Sequence, residues 1–158
     1  MMRSRPGRAS ALVLLVWLVT LLSACGDDGT TFPNPAELPG VWEAIESEFV
    51  QVAQPRQRVD LVALGGSVVL VLWPDRTFTL ALTGPDAHAP WEREGVWIPD
   101  EDVLRLEYQE GGTGVNEFDM DWRDGVLRLR GGDSLYQFDV DAPPEPAKWN
   151  LRLQRISP

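Results

Sequence analysis

The sequence predicts an all-β protein that folds as an antiparallel up-and-down β-barrel of about eight strands. After Pro39, apolar and polar residues alternate with a period of two, which is typical of strands with one buried face. Short segments rich in Gly, Pro and Asp separate these runs, so we expect hairpin connections and an antiparallel sheet. A sheet with so many apolar-faced strands would expose its edges to other chains, and closure into a barrel removes those edges.

Three of the runs alternate strictly. Their apolar positions are Phe78, Leu80 and Leu82, then Leu104, Leu106 and Tyr108, then Trp149, Leu151 and Leu153. The run from Ser67 to Trp73 is apolar nearly throughout, which predicts a strand covered on both faces. Turns or short loops are expected between runs, at Trp73–Arg76, Pro99–Asp102, Asp124-Gly125 and Gly131–Asp133.

Two segments near the start of the domain leave alternatives open. Val41–Val52 fits one long strand with Trp42 and Ala44 on one face, or an amphipathic helix from Ala44 onward. Asp60–Leu64 fits a strand, or one helical turn that ends at the following glycines.

The dipeptide Asp124-Gly125 predicts the register of one hairpin. A two-residue type I′ loop at this dipeptide pairs apolar with apolar residues and acids with bases. The pairs are Arg123 with Val126, Trp122 with Leu127, Asp121 with Arg128, Met120 with Leu129, and Asp119 with Arg130. We therefore expect Asp121–Arg128 and Asp119–Arg130 to form ion pairs on the outer face.

The same aspartates also resemble the start of a calcium loop, Asp119-x-Asp121-x-x-Asp124. In an EF-hand loop the fifth position is Asp or Asn and the twelfth is Glu, whereas Arg123 and Arg130 stand at these positions here. The sequence therefore predicts no metal site.

The N-terminus has the organisation of a secretory signal. Arg3, Arg5 and Arg8 precede an apolar run from Ala11 to Leu22. The segment Leu22-Ser23-Ala24-Cys25 that follows resembles the lipobox of bacterial lipoproteins, in which the cysteine is lipidated and the peptide ahead of it is removed. The alternatives are an ordinary signal peptide or an uncleaved anchor, but about a dozen apolar residues fall short of the ~20 that a spanning helix needs.

This resemblance divides the chain into three parts. Residues 1–24 are a signal peptide, residues 25–38 are the lipidated Cys25 and a flexible tether, and residues 39–158 are the barrel domain. The acyl chains on Cys25 would hold the protein durably at a membrane of the cell envelope. Because Gly26 rather than Asp follows the cysteine, the residue that resembles an inner-membrane retention signal is missing, and an outer membrane is favoured where two membranes exist.

Charge and composition exclude several function classes. Loss of Arg3, Arg5 and Arg8 leaves 11 of the 14 basic residues against 24 acidic ones, a net charge of −13. Such a charge repels nucleic acid, so we expect no nucleic-acid partner. His88 is the only histidine and lies in a predicted loop without a nearby serine, which argues against a catalytic triad. Zinc would need three or four Cys, His or carboxylate ligands, and with Cys25 lipidated only His88 and acidic residues are left, so we expect no cofactor. A pair of carboxylates for glycoside hydrolysis is an open alternative, because a sequence does not show which acids are neighbours in space, but we expect no enzyme.

The order of the strand signatures resembles the bacterial lipocalin-like domains. The segments concerned are Leu38–Trp42, Leu72–Leu82, Gly95–Trp97, Leu104–Leu106, the Asp124-Gly125 hairpin and Leu151–Arg155. Gly40-x-Trp42 is similar to the lipocalin motif that opens the first strand, where the Trp ring closes the floor of the barrel. Arg155 matches the last-strand arginine that packs on this ring. The resemblance thus implies a barrel closed by Gly40, Trp42 and Arg155.

The interior of an eight-stranded barrel is just wide enough to fill with side chains or to hold one small ligand. Large inward residues are candidates for lining such a cavity, although plain core packing is the default for each. They are Phe78, Leu80, Leu106, Tyr108, Phe118, Met120, Trp122, Tyr136 and Phe138. The resemblance implies that the barrel binds a small hydrophobic or amphipathic molecule. The alternative is a structural or protein-interaction module of the envelope with a solid barrel core.

Overall fold

The computed structural model describes residues 34–85, 91–109, 114–123 and 125–157. They form a short 3₁₀ helix, Pro35–Glu37, and nine strands. The strands are β1 (Gly40–Gln51), β2 (Arg58–Asp60), β3 (Ser67–Leu72), β4 (Thr77–Thr83), β5 (Trp91–Asp100), β6 (Val103–Tyr108), β7 (Val115–Arg123), β8 (Val126–Tyr136) and β9 (Glu145–Ser157).

The strands form one antiparallel barrel. Strands β3 to β9 are neighbours in chain order, and β1 pairs with both β3 and β9, which closes the sheet. The short strand β2 is attached to the last part of β1, outside the ring of eight. The predicted all-β, up-and-down barrel of about eight strands is therefore confirmed, and its architecture is consistent with a lipocalin-like fold.

Strand β1 settles the first open alternative, because Gly40–Gln51 is extended throughout. A bulge between Ala44 and Glu46 changes which residues face the core. The buried residues are Trp42 and Ala44 before the bulge, and Ser47, Phe49 and Gln51 after it. The second open segment is both strand and turn, since β2 ends at Asp60 and residues 61–65 form a turn.

The predicted hairpin register is confirmed pair by pair from Arg123–Val126 to Asp119–Arg130, although Asp124 itself lies outside the described residues. The ion pairs differ from the prediction. Asp121 binds both arginines, with its Oδ2 2.9 Å from Arg130 Nη2 and its Oδ1 4.0 Å from Arg128 Nε. The twist of the hairpin brings the diagonal Arg130 closer to Asp121 than the directly opposite Arg128.

One predicted turn is wrong. Gly131–Asp133 does not separate two strands but lies within β8, where the pairing with β9 shifts between Leu129 and Gly132. The structure requires glycine here for packing, since a Cβ on Gly132 would lie 2.2 Å from the Phe118 ring. The register shift takes the backbone N–H of Gly131 out of the β8–β9 hydrogen-bond pattern. This N–H donates instead to Asn150 Oδ1 over 3.0 Å.

The packed domain begins before the predicted boundary at residue 39. Asn34 caps the 3₁₀ helix, and Leu38 is 0% exposed, so the last residues of the predicted tether belong to the barrel. Residues 1–33, which contain the predicted signal peptide, Cys25 and most of the tether, lie outside the described residues. The described ranges contain no helix with both the length and the apolar character needed to cross a membrane.

Candidate functional site: the two ends of the barrel

The two ends of the barrel differ in their side chains. At the end where β1 begins and β9 finishes, three indole rings fill the interior, those of Trp42, Trp97 and Trp122. We call this end the tryptophan end. The opposite end, where β1, β6 and β8 finish and β5, β7 and β9 begin, is the cavity end.

Arg155 holds the tryptophan end together. Its guanidinium carbon lies 4.6 Å from the ring centroid of Trp42 and 5.7 Å from that of Trp122. Trp42 also donates its Nε1–H to the Leu38 carbonyl over 2.9 Å. The two indoles meet edge to face at 5.3 Å, so cation–π and aromatic contacts act on the same rings.

Gly40 makes this arrangement sterically feasible. A Cβ at this position would lie 2.9 Å from the Ser157 carbonyl and 3.4 Å from Arg155 Nε, and the residue has a φ of +149°. The structure thus brings together Gly40, Trp42 and Arg155, the three residues for which the resemblance to lipocalin-like domains implies a role in barrel closure.

A second arginine, Arg76, packs on the ring of Trp97. The guanidinium carbon of Arg76 lies 4.2 Å from the Trp97 ring, and Trp97 Nε1 donates to the Trp73 carbonyl over 3.0 Å. Packed and capped indoles therefore fill this end, and it offers little room for a ligand.

The middle of the barrel is also filled by side chains. Five of the nine candidate cavity residues lie here and are at most 1% exposed, namely Phe78, Leu80, Leu106, Phe118 and Met120. Trp122 belongs to the tryptophan end. Tyr136 and Phe138 belong to an aromatic cluster with Phe49, in which the Phe49 and Tyr136 rings stack at 4.4 Å.

The remaining candidate, Tyr108, lines a cavity of about 240 Å³ at the cavity end. The walls come from strands β5 to β9 and from the residue that precedes β7. They are formed by Trp91, Arg93, Tyr108, Gly114, Asn116, Asp133, Ser134 and Trp149. Trp149 is fixed by a hydrogen bond from its Nε1 to Ser47 Oγ, 2.9 Å long, and by stacking on Phe49 at 5.3 Å.

Tyr108 and Asn116 form a polar pair in this cavity. Asn116 Nδ2 donates to the Tyr108 hydroxyl over 3.0 Å. Burial raises the pKa of Tyr108 above its usual value of 10.0, while the hydrogen bond from Asn116 and the charge of Arg93 act in the opposite direction. The hydroxyl is therefore protonated at neutral pH and can donate a hydrogen bond to a bound molecule.

Charge in the cavity is positive although the protein is acidic. Arg93 is half-buried, and its guanidinium carbon lies 4.5 Å from the ring centroid of Trp91. The carboxylate of Asp133 is mostly exposed and binds Lys148 Nζ at 2.6 Å, so this pair neutralises itself. The described walls of the cavity thus combine one uncompensated cation, two hydroxyls, one amide and two indole surfaces.

A second concave surface lies on the outer wall. Its groove of about 440 Å³ is lined by Glu46, Glu48, Arg128, Arg130, Asn150, Leu151 and Arg152. Its charges are largely matched, because Arg152 binds Glu46 at 2.8 Å and Arg130 binds Asp121 at 2.9 Å. An ion-pair network on an outer wall needs no ligand to explain it, so the cavity end is the better candidate site.

Comparison of the chain with protein-family models and with curated protein sequences finds no match.

Sequence reasoning missed Arg93, Asn116 and Ser134 as residues of the site. The signal was present for two of them, because Arg93 is in phase with the inward Gly95, and Asn116 with the inward Phe118. A polar residue in an inward position is informative because a filled core would exclude it. Ser134 follows the register shift between Leu129 and Gly132 in β8, so the alternation of the preceding residues does not show which way its side chain points.

Of the residues considered from the sequence for metal binding and catalysis, Asp121 does not line the described walls of this cavity. Asp121 is held by two arginines, and within the described ranges no three His, Cys, Asp or Glu side chains come together as a metal site would require. His88 lies outside the described residues.

Proposed function

We propose that this protein is a lipid-anchored lipoprotein of the cell envelope whose lipocalin-like barrel binds one small hydrophobic or amphipathic molecule. The observation that carries the binding part is the cavity of about 240 Å³ between Trp91, Tyr108 and Trp149. Such a pocket, with mostly apolar walls and a few converging polar groups, is typical of small-molecule sites.

The dimensions of the cavity limit the ligand. Drug-sized ligands occupy sites of roughly 300–1,000 Å³, so this cavity suits a smaller molecule or one end of a longer one. The barrel interior beside the cavity is filled, since Phe78, Leu106 and Phe118 are at most 1% exposed. We therefore expect a compact ligand, or one end of a longer one, at the barrel mouth.

The anchoring part of the proposal rests on Leu22-Ser23-Ala24-Cys25. In the fold, residues 34–38 meet the barrel at the tryptophan end, where the Leu38 carbonyl accepts the Trp42 indole N–H. A fully extended tether of the nine residues from Cys25 onward would span about 30 Å at most. An anchor attached in this way keeps the tryptophan end within about 30 Å of the membrane, and the cavity lies at the opposite end of the barrel.

The binding function is tested in two ways. The full-length protein, purified from the envelope of its native cells, should release a small molecule that mass spectrometry detects. Titrations use residues 26–158, which contain all nine strands of the described residues. Two tryptophans line the cavity, so added ligand should also change the intrinsic fluorescence. The uncharged dye N-phenyl-1-naphthylamine serves as a general probe of such a site.

A blocking variant locates the binding. Ser134→Phe places a ring in the cavity and should abolish dye binding. Leu135→Phe places the same ring on the opposite face of the same strand and should leave binding unchanged. If no ligand is released and neither the dye nor fatty acids alter the fluorescence, the ligand-binding function is wrong, and a structural or protein-interaction module takes its place.

Lipidation is tested separately. Cells that express the full chain should incorporate labelled palmitate into it, and Cys25→Ala should remove the label and release the protein from the membrane fraction. Incorporation that persists in Cys25→Ala, or a wild-type chain without label, would contradict the lipoprotein assignment and leave the binding test unaffected.

A further inference from the structure

We propose that the cavity selects small molecules that carry an anionic group beside a planar apolar part, with Arg93 as the residue that binds the anion. This inference rests on the proposed function, because it names the chemical class of the ligand for the same cavity. Three features of the cavity wall support it: an uncompensated cation, a further hydrogen-bond donor and two indole surfaces.

The first feature is the charge of Arg93. In the described part of the chain no carboxylate forms an ion pair with its guanidinium, and its Nη1 donates only to the neighbouring Glu92 carbonyl over 3.1 Å. In contrast to Arg93, Arg105 lies on the outer wall and forms an ion pair with Glu117. A half-buried guanidinium with spare N–H groups in a cavity favours an anion with oxygen acceptors.

The second feature is a further hydrogen-bond donor, the Tyr108 hydroxyl. Tyr108 pairs with Gly95, two residues from Arg93 on β5, and both side chains line the cavity. The hydroxyl already accepts from Asn116 Nδ2, so its own hydrogen is available to another acceptor. Arg93 and Tyr108 together can therefore donate to two oxygens of one carboxylate, sulfonate or phosphate group.

The third feature is the apolar part of the wall. Trp91 lies at the mouth, 40% exposed, with Arg93 across its ring, and Trp149 forms the inner wall. Flat indole surfaces favour a planar apolar group by offset stacking. Arg93 and Tyr108 would thus bind the anionic group of the ligand, and the two indole rings would bind its planar part.

The net charge of the protein makes this preference specific. Without residues 1–24 the chain carries a net charge of −13 and repels anions in general, so anion binding has to come from local contacts. The nearest acidic side chain of the wall, Asp133, is bound to Lys148 and points to solvent. The cavity is consequently a positive site on a negative protein.

A pair of dyes tests the preference. 8-Anilinonaphthalene-1-sulfonate and N-phenyl-1-naphthylamine share one aromatic skeleton and differ by the sulfonate. Titration of residues 26–158 with each dye should give a lower Kd for the sulfonate. Arg93→Met should raise the Kd of the sulfonate by about tenfold or more and change that of the uncharged dye by less than about threefold.

Two further variants control this result. Arg93→Lys keeps the charge without the planar fork and should retain part of the preference. Arg105→Met removes an arginine from the outer wall and should change neither Kd. A cooperative urea transition for each variant shows that it is folded.

The outcomes separate the two proposals. If both dyes bind with equal Kd, or if Arg93→Met weakens both to the same extent, the anion preference is overturned and the binding function stands. If neither dye binds the wild-type protein, both proposals fail for this cavity.

Discussion

Arg155 and Trp42, which are partners in the register of β9 and β1, also meet through their side chains, with the guanidinium carbon 4.6 Å from the ring centroid. The same guanidinium donates to the Glu37 carbonyl. One side chain thus joins the last strand, the first strand and the segment that leads into the barrel. The contact closes the barrel at the point where an open sheet would have its two edges.

Arg155→Met should therefore destabilise the protein. The variant keeps much of the apolar stem but loses the cation on two indoles and the hydrogen bond to Glu37, which together contribute about 1–3 kcal/mol to the free energy of unfolding. Urea unfolding followed by tryptophan fluorescence measures the change. The control is Arg152→Met, at another position of β9. It removes an exposed ion pair with Glu46 of β1 and should lower the free energy of unfolding by less than about 1 kcal/mol. Equal losses for the two variants would contradict a special role of Arg155.

Gly95→Ala should be strongly destabilising. A Cβ at Gly95 would lie 1.9 Å from the Glu107 carbonyl oxygen and 2.7 Å from the Phe78 ring, so β5 and β6 would have to separate. We expect a loss of about 2 kcal/mol or more in the free energy of unfolding. Gly84→Ala is the matched control, because a Cβ there meets no atom within 4 Å and the free energy should change by less than about 1 kcal/mol. A Gly95→Ala protein as stable as the control would show that the strands separate easily.

Asp121→Asn tests the charge cluster on the outer wall. The carboxylate is only 8% exposed and compensates Arg128 and Arg130, so neutralising it leaves two arginines close together. Since both guanidinium groups retain contact with water, we expect a moderate loss of about 1–2 kcal/mol in denaturant unfolding. Asp119→Asn, on the exposed neighbouring position of the same strand, should be nearly neutral. High salt should narrow the difference between the two variants. A salt-independent difference would argue against an electrostatic cause.

The sequence predicted the fold where local pattern and pairing agree. The Asp124-Gly125 hairpin is the clearest case, because its register brings apolar residues and opposite charges together simultaneously, and each pair appears in the structure. Strands β4 and β6 alternate without interruption, so their inward faces were also predicted correctly.

Irregular pairing explains what the sequence could not predict. In β1 the buried positions Ala44 and Ser47 are three residues apart, because a bulge lies between them, and a spacing of three also fits a helix. In β8 the glycines at 131 and 132 are part of a strand rather than a turn, because Phe118 occupies the space above Gly132. Both features depend on a neighbouring strand and leave no mark in the local pattern.

The site was predicted only in part for a related reason. Large apolar residues were the candidates for the cavity, yet most of them fill the barrel, and the cavity forms where inward positions carry Arg93 and Asn116 instead. Whether an inward residue packs in the core or lines the cavity depends on its position along the barrel axis. That position follows from the register of all eight strands together and not from the sequence of one strand.

The two tyrosines provide a test that depends on pH. Tyr108 and Tyr136 are the only tyrosines, and burial raises the pKa of both above 10.0. Because the folded state favours the protonated phenols, their contribution to stability is fully present below pH 10 and is lost as the pH rises through the pKa of the folded state. Ultraviolet titration of Tyr136→Phe isolates Tyr108, and its midpoint should lie above the value for the same protein in urea. Tyr108→Phe isolates Tyr136 in the same way. A Tyr108 midpoint that equals the value in urea would mean that the cavity is fully hydrated, and the apolar surroundings assigned to the ligand would then be wrong.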